Sequence, residues 1–249
     1  MPAPSHRERS AGIIVQARMG ASRLPGKMLL PILSRPVLWH LIKRLKAVED
    51  ATLVIATTDL EQDDAIASLC ESENVLVVRG SSEDVLSRYV AAAKQYQFEM
   101  IVRITGDCPL MDPWMVSTMI RNFKQNHWDY YSNLRPRTFA RGLDCEVVSS
   151  SLLNRAYERR LPADVPEYVV VPYVEREKEN LRIGNYEASE KHSELRWTLD
   201  ETADYELIKR VYEALYPANS LFSLNDILRL MERSPELKLM NAHVKQKSL

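Results

Sequence analysis

The sequence predicts an α/β fold with a mainly parallel sheet, and three observations carry that prediction. Short apolar runs of strand length alternate with amphipathic helical segments as far as Pro113. Such alternation implies parallel pairing through right-handed crossovers. Polar residues gather just past the carboxyl ends of the runs, at Arg18, Asp59, Arg79 and Asp107, where open α/β sheets bind ligands. At 249 residues the chain is long enough for one large domain with a full core.

Taken in order, residues 12–17 form an apolar run ending in polar punctuation, as expected of a strand buried on both faces. Residues 36–49 place Val37, Leu38, Leu41, Ile42 and Leu45 at helical spacing, with Pro36 suited to the first turn. The pattern repeats as a strand at 52–57, a helix at 61–72, a strand at 75–78, a helix at 83–96 and a strand at 101–105. Beyond Pro113 the alternation loosens. Residues 114–125 read as an amphipathic helix, 128–132 and 145–149 as strands, and Ser151 as the N-cap of a helix reaching residue 159. Helices at 202–216 and 224–232 finish the chain, which reads as a single domain over 11–249 behind a short disordered tail at 1–10.

Composition narrows the function classes. Lys plus Arg number 33 against 34 Asp plus Glu, a formal net charge of -1, so no global field draws the protein to nucleic acid or to an anionic membrane. Any phosphate binding must be local. The 3 cysteines form no CxxC pair, and the 5 histidines lack metal-ligand spacing, which argues against a disulfide framework and a zinc site and fits a reducing cytoplasm. The first ten residues have no apolar core of the kind a secretory signal needs, and no apolar run approaches the ~20 residues of a membrane helix.

Local cations are concentrated in Val15-Gln-Ala-Arg-Met-Gly-Ala-Ser-Arg-Leu-Pro-Gly-Lys-Met28. A Walker loop would need four residues between its glycines and Ser or Thr after the lysine, whereas five residues separate Gly20 from Gly26 and Met28 follows Lys27. Arg18, Arg23 and Lys27 instead suit direct neutralisation of a polyphosphate, with planar guanidinium forks and one ammonium point charge. Asp107, in Thr-Gly-Asp-Cys-Pro after an apolar strand, is placed to hold Mg²⁺, which prefers one or two carboxylates, waters and phosphate oxygens. The plainer alternative is an Asp that fixes its own turn. Asp200 ends another short apolar run before Glu201 and Thr202, where it is also good helix N-capping chemistry.

Gln16 to Lys27, with Gly106-Asp107-Cys108-Pro109 and Asp200, resembles the cytidylyltransferase family that activates acidic sugars as CMP-sugars, acylneuraminate and CMP-Kdo synthetases included. Arg79 to Tyr89, Val102 to Pro113 and Arg141 to Val147 are most similar to its spore-coat polysaccharide branch. The resemblance implies a Rossmann-like, GT-A-like nucleotidyltransferase sheet with a smaller substrate and dimerisation lobe at about 130–190, and a homodimer. It implies CTP and an acidic sugar-like acceptor as substrates, with Arg18, Lys27, Asp107 and Asp200 catalytic and Asp107 and Asp200 on Mg²⁺. Ala17, Arg18, Arg23, Lys27, Arg79 and Thr105 would then contact the nucleotide. Thr105 stands where many relatives carry a cytosine-reading Gln, and Pro166-Glu-Tyr-Val169 stands where the spore-coat branch has a Glu-His pair.

Acceptor contacts are expected from Arg103, Arg135, Arg141, Asp144 and Glu146. Each has a plainer alternative: an ion pair for Arg103, a solvated basic loop for Arg135, Arg137 and Arg141, and a polar strand face for Asp144 and Glu146. Arg79 could likewise pair with Glu83. Two other functions fit the same pattern less well, a GT-A-type glycosyltransferase and a catalytically silent nucleotide-binding subunit. No clear Asp-x-Asp follows the fourth strand, and four site-like residues stand together in order.

Overall fold

A computed structural model describes residues 10–161 and 170–246. The expected tail, apart from Ser10, and the segment Pro166 to Val169 lie outside the described residues. Nine strands and eight α-helices are formed among the described residues, seven of the strands in one sheet.

The central strand is β1 (Ala11–Gln16), flanked in parallel by β4 (Ala51–Thr58) and β6 (Met100–Thr105), with β5 (Leu76–Gly80) parallel outside β4. Period-two alternation sorts the side chains. Ile13 and Val15 join Val102 and Ile104 on one face, while Ile14, Val54 and Ile101 face the other. The first face is covered by α1 (Val37–Leu45), α2 (Asp64–Ser72), α4 (Pro113–Asn126), α7 (Thr202–Leu215) and α8 (Leu224–Arg233). The second lies under α3 (Val85–Gln95), α5 (Ser150–Glu158) and α6 (Val171–Glu177). The result is a three-layer α/β/α stack, as expected of a sheet apolar on both faces.

The less regular middle of the chain extends this same sheet. β8 (Glu146–Ser149) runs antiparallel to β6, β7 (Tyr130–Ser132) antiparallel to β8, and β9 (Ile183–Asn185) parallel to β7 at the edge. The order β5-β4-β1-β6-β8-β7-β9 puts the reversal of winding between β1 and β6. A crevice opens at the carboxyl ends of two such strands.

Several expectations are refined. The helix predicted at 61–72 begins as a 3-10 turn at Glu61–Asp63, because Leu60 is still extended. Ser149, not Ser151, caps α5, its hydroxyl accepting from the Leu152 amide at 3.2 Å. β8 ends at Ser149, so the cap falls on the residue where the extended chain stops. A hairpin of β2 (Pro31–Ile32) and β3 (Arg35–Pro36), together with α6 and β9, was not anticipated.

Candidate active site

The basic loop leaves β1 still bonded to the sheet, Ala17 donating to the Ala56 carbonyl at 3.1 Å, and is then pinned by the buried carboxylate of Asp63, which accepts from the Met19 amide at 2.6 Å. The Met19 carbonyl accepts from both Ala21 and Gly26, closing the loop on itself. Gly26 has φ 71°, a left-handed conformation that glycine adopts without strain. This turn swings Lys27 inward, leaving it 7% exposed, as the first residue of a 3-10 turn at Lys27–Leu29.

Lys27 Nζ donates to Asp107 Oδ2 at 3.0 Å, Asp200 Oδ1 at 3.0 Å and the Leu199 carbonyl at 2.6 Å. Three acceptors use all three ammonium hydrogens. The sequence suggested a cation facing phosphate; the structure makes it the clasp between two carboxylates. Burial alone would lower the lysine pKa, but Asp107 and Asp200 more than compensate and hold it above its usual value.

Residues far apart in sequence meet here because the segment before Asp200 lies against the turn after β6. The Asp107 carbonyl accepts from the Leu199 amide at 2.8 Å and the Thr198 hydroxyl at 3.3 Å. Gly106 is required at that turn, since an added Cβ would lie 2.9 Å from the Met28 sulfur and 3.0 Å from the Gln16 carbonyl. Thr105 Oγ1 donates to Asp107 Oδ1 at 2.5 Å, so part of the self-fixing turn is present.

Asp200 does not cap α7. Glu201 is the N-cap, and Asp204 serves the capping box by accepting from the amides of Asp200 and Glu201. The Asp200 side chain is thereby left for the cleft, where Oδ2 meets Arg23 at 2.9 Å and Arg196 at 2.8 Å. Burial would raise its pKa, but Lys27, Arg23 and Arg196 draw it below the usual value. Arg196 is held in turn by Asp204, and Asn241 Nδ2 donates to both the Arg196 carbonyl and Asp204.

The cleft thus gathers Ala17, Arg18, Arg23, Lys27, Thr105, Asp107 and Asp200. The remaining predicted contacts are engaged elsewhere. Arg79 pairs with Asp64 at 2.6 Å, not with Glu83, and donates to the Thr58 and Leu60 carbonyls. Arg103 pairs with Glu146, which is buried rather than on a polar strand face. Arg135 meets Glu175, and Arg137 holds Asp144 with two bonds of 2.5 and 2.9 Å. Arg141 lines a separate groove beside Arg196, its backbone bridged to Leu195 and Trp197.

Sequence reasoning missed two large polar residues of the cleft, Gln16 and Arg88. Gln16 lies at the end of β1, in register with Thr105. Arg88, on α3, is 2% exposed, donates to the Ser81 carbonyl and makes no ion pair among the described residues. Burial and the neighbouring Arg18 lower its pKa, with burial the larger cause. A signal for it existed: Arg88 sits on the same helical arc as Val85 and Ala92, which are both buried.

The donor set suits a hard divalent cation. Asp107 Oδ2 and Asp200 Oδ1 already converge on one cationic centre, and both are oxygen ligands of the type Mg²⁺ or Mn²⁺ takes alongside water and phosphate. No third His, Cys, Asp or Glu joins them among the described residues.

A solved cytidylyltransferase from Leptospira borgpetersenii superposes with a TM-score of 0.85 at 33% identity, covering 96% of this chain and 99% of that one. CMP:2-keto-3-deoxy-manno-octonic acid synthetase complexed with CTP shares the fold, with a TM-score of 0.61 at 17% identity over 82% of this chain and 98% of the other. The spore coat polysaccharide biosynthesis protein SpsF of Bacillus subtilis is 33% identical over 230 residues, 90% of this chain and 94% of its own length. With the family match itself extending over residues 12–239, the chain belongs to the cytidylyltransferase family.

Proposed function

We propose that this nucleotidyltransferase moves CMP from CTP to an oxygen of an acidic sugar or a related acceptor, releasing pyrophosphate, in the synthesis of a surface polysaccharide. One observation carries the reading: the Asp107 and Asp200 carboxylates converge on a single cationic position at the foot of a loop that supplies two arginines. The names of SpsF and of the CMP-sugar synthetase support the sugar and polysaccharide context. Family membership leaves the glycosyltransferase and the silent subunit without support.

Arg18 and Arg23 offset charge on the β- and γ-phosphates, and Arg23 reaches them from its present contact with Asp200. Lys27, turning from the two carboxylates toward the leaving group, stabilises the pyrophosphate as the Pα–Oβ bond breaks and the bond from the acceptor oxygen to Pα forms. Asp107 and Asp200 would hold Mg²⁺, which when bound polarises the α-phosphate and orients the attacking oxygen. Thr105 fixes the Asp107 carboxylate, and Ala17 presents backbone to the nucleotide. No side chain forms a covalent intermediate. The stretch of about 130–190 supplies acceptor and dimer contacts, and the homodimer works in the cytoplasm, a setting that suits three buried, unpaired cysteines.

The test is pyrophosphate release from CTP, UTP, ATP or GTP with Mg²⁺ and a panel of acidic sugars. Release confined to CTP is expected; consumption of a nucleotide-sugar with no triphosphate turned over would overturn the reading.

A further inference from the structure

Gln16 has a fixed amide. Its Oε1 accepts from the Tyr89 hydroxyl at 3.1 Å, a donor shared with the Ile104 carbonyl at 3.3 Å, and faces Arg103 Nη2 at 3.4 Å. The second contact is long, but its sign decides the orientation. A guanidinium offers donors only, so a flipped amide would set NH₂ against N–H. Arg103 is itself immobilised by the buried Glu146, whose other oxygen accepts from Tyr130. Burial pushes the Tyr89 phenol up to about 12, so it stays an O–H donor at neutral pH. Oε1 is therefore committed, and Nε2 has no protein partner among the described residues and is not a buried orphan atom.

We infer that Gln16 selects the base of the nucleotide, its Nε2 amino group donating to the adjacent N3 and O2 acceptors of cytosine. This deepens the cytidylyl-transfer reading and rests on it. Uracil keeps O2 but carries hydrogen on N3, so donor would meet donor in the same pose, with an amide that cannot turn to adapt. A site built from an oriented polar group discriminates well, because the mismatch leaves that group unpaired. The neighbour Thr105 is too short to replace it, since its hydroxyl already bonds Asp107. Glu146, Arg103 and Tyr89 act through Gln16 as positioning residues. The pair Arg103 and Glu146, expected to touch the acceptor, thus contributes to nucleotide choice from below the cleft floor.

The experiment compares kcat/KM for CTP and UTP in the wild type, Gln16→Glu and Gln16→Met, following pyrophosphate release. Gln16→Glu keeps the bond to Tyr89 and Arg103 and turns an acceptor toward the base, so the CTP:UTP ratio should fall on the order of 10- to 100-fold, partly through faster UTP turnover. Gln16→Met should lower the ratio by losing CTP alone, and it decides the matter if the carboxylate variant does not fold. An unchanged ratio in a folded variant of an enzyme that uses CTP overturns the role of Gln16 only. A wild type that turns over no CTP removes the cytidylyl-transfer reading, and this inference with it.

Discussion

Replacing Lys27 by Met keeps the side-chain length and deletes one charge from the most crowded point of the cleft. Its ammonium lies 3.0 Å from one oxygen each of Asp107 and Asp200. At an effective dielectric of about 20, each such contact is worth about 5 kcal/mol before desolvation, and removing one partner from a buried cluster costs about 3–5 kcal/mol net. The figure here falls toward the lower end, because the Asp107 side chain is 26% exposed and Asp200 keeps Arg23 and Arg196. A loss of about 3 kcal/mol in a domain of this size lowers Tm by about 6–12 °C. The assay is thermal unfolding by calorimetry, at neutral pH without nucleotide or divalent ion. A companion titration with Mn²⁺ should show about tenfold tighter binding, since the ammonium no longer competes for the two carboxylates. A Tm within about 2 °C of wild type together with unchanged Mn²⁺ affinity would refute the placement of the ammonium between them.

Three further outcomes follow from the geometry. Arg88→Met should raise KM for CTP about 10- to 100-fold with little loss of stability, because it removes a buried cation that no carboxylate contacts directly among the described residues; steady-state kinetics and Tm check both halves. Asp200→Asn should lose stability at pH 7 by an amount that shrinks in acid: the folded-state pKa lies below the ordinary 3.8, so the contribution is complete above that value and disappears as pH falls through the folded pKa. Tm measured from pH 2 to 7 reads it. Gly142→Ala should fold poorly or lose about 4 kcal/mol or more, since φ is 100° and the new Cβ would lie 2.4–2.5 Å from backbone atoms of Trp197 and Thr198. Soluble yield and chemical denaturation report it.

The strands and helices up to α4 were legible because each carries its own periodicity and a polar stop. The β2–β3 hairpin was not, since its turn places Leu33 and Ser34 at φ 46° and 63°, where Gly or Asn would have announced it. β9 gives little sign of itself either. Its Gly184 packs against Trp128 and Tyr131, a contact that exists only once β7 is beside it. For the cleft, residue types at strand ends named Arg18, Arg23, Lys27, Asp107 and Asp200, but not which charge would neutralise which. Whether Asp200 capped a helix depended on Asp204 taking that task, and whether Arg79 faced the cleft depended on Asp64. Gln16 was invisible for a related reason: an amide at a strand end says nothing until Tyr89 and Arg103 fix its direction.

Asn241 binds the carbonyl of Arg196 and the carboxylate of Asp204, and Gln246 binds the Arg196 guanidinium at 2.6 Å. Because Arg196 and Asp204 aim Asp200, one wall of the cleft is set by residues more than forty positions downstream. A ribosome builds the chain from the other end. The loop bearing Arg18 and the strand leading to Asp107 emerge early, yet the Arg196–Asp204 pair that aims Asp200 gains its last hydrogen bonds only when Asn241 and Gln246 follow. The anion-binding half of the cleft can therefore form during synthesis before the bracing of its carboxylate pair is complete.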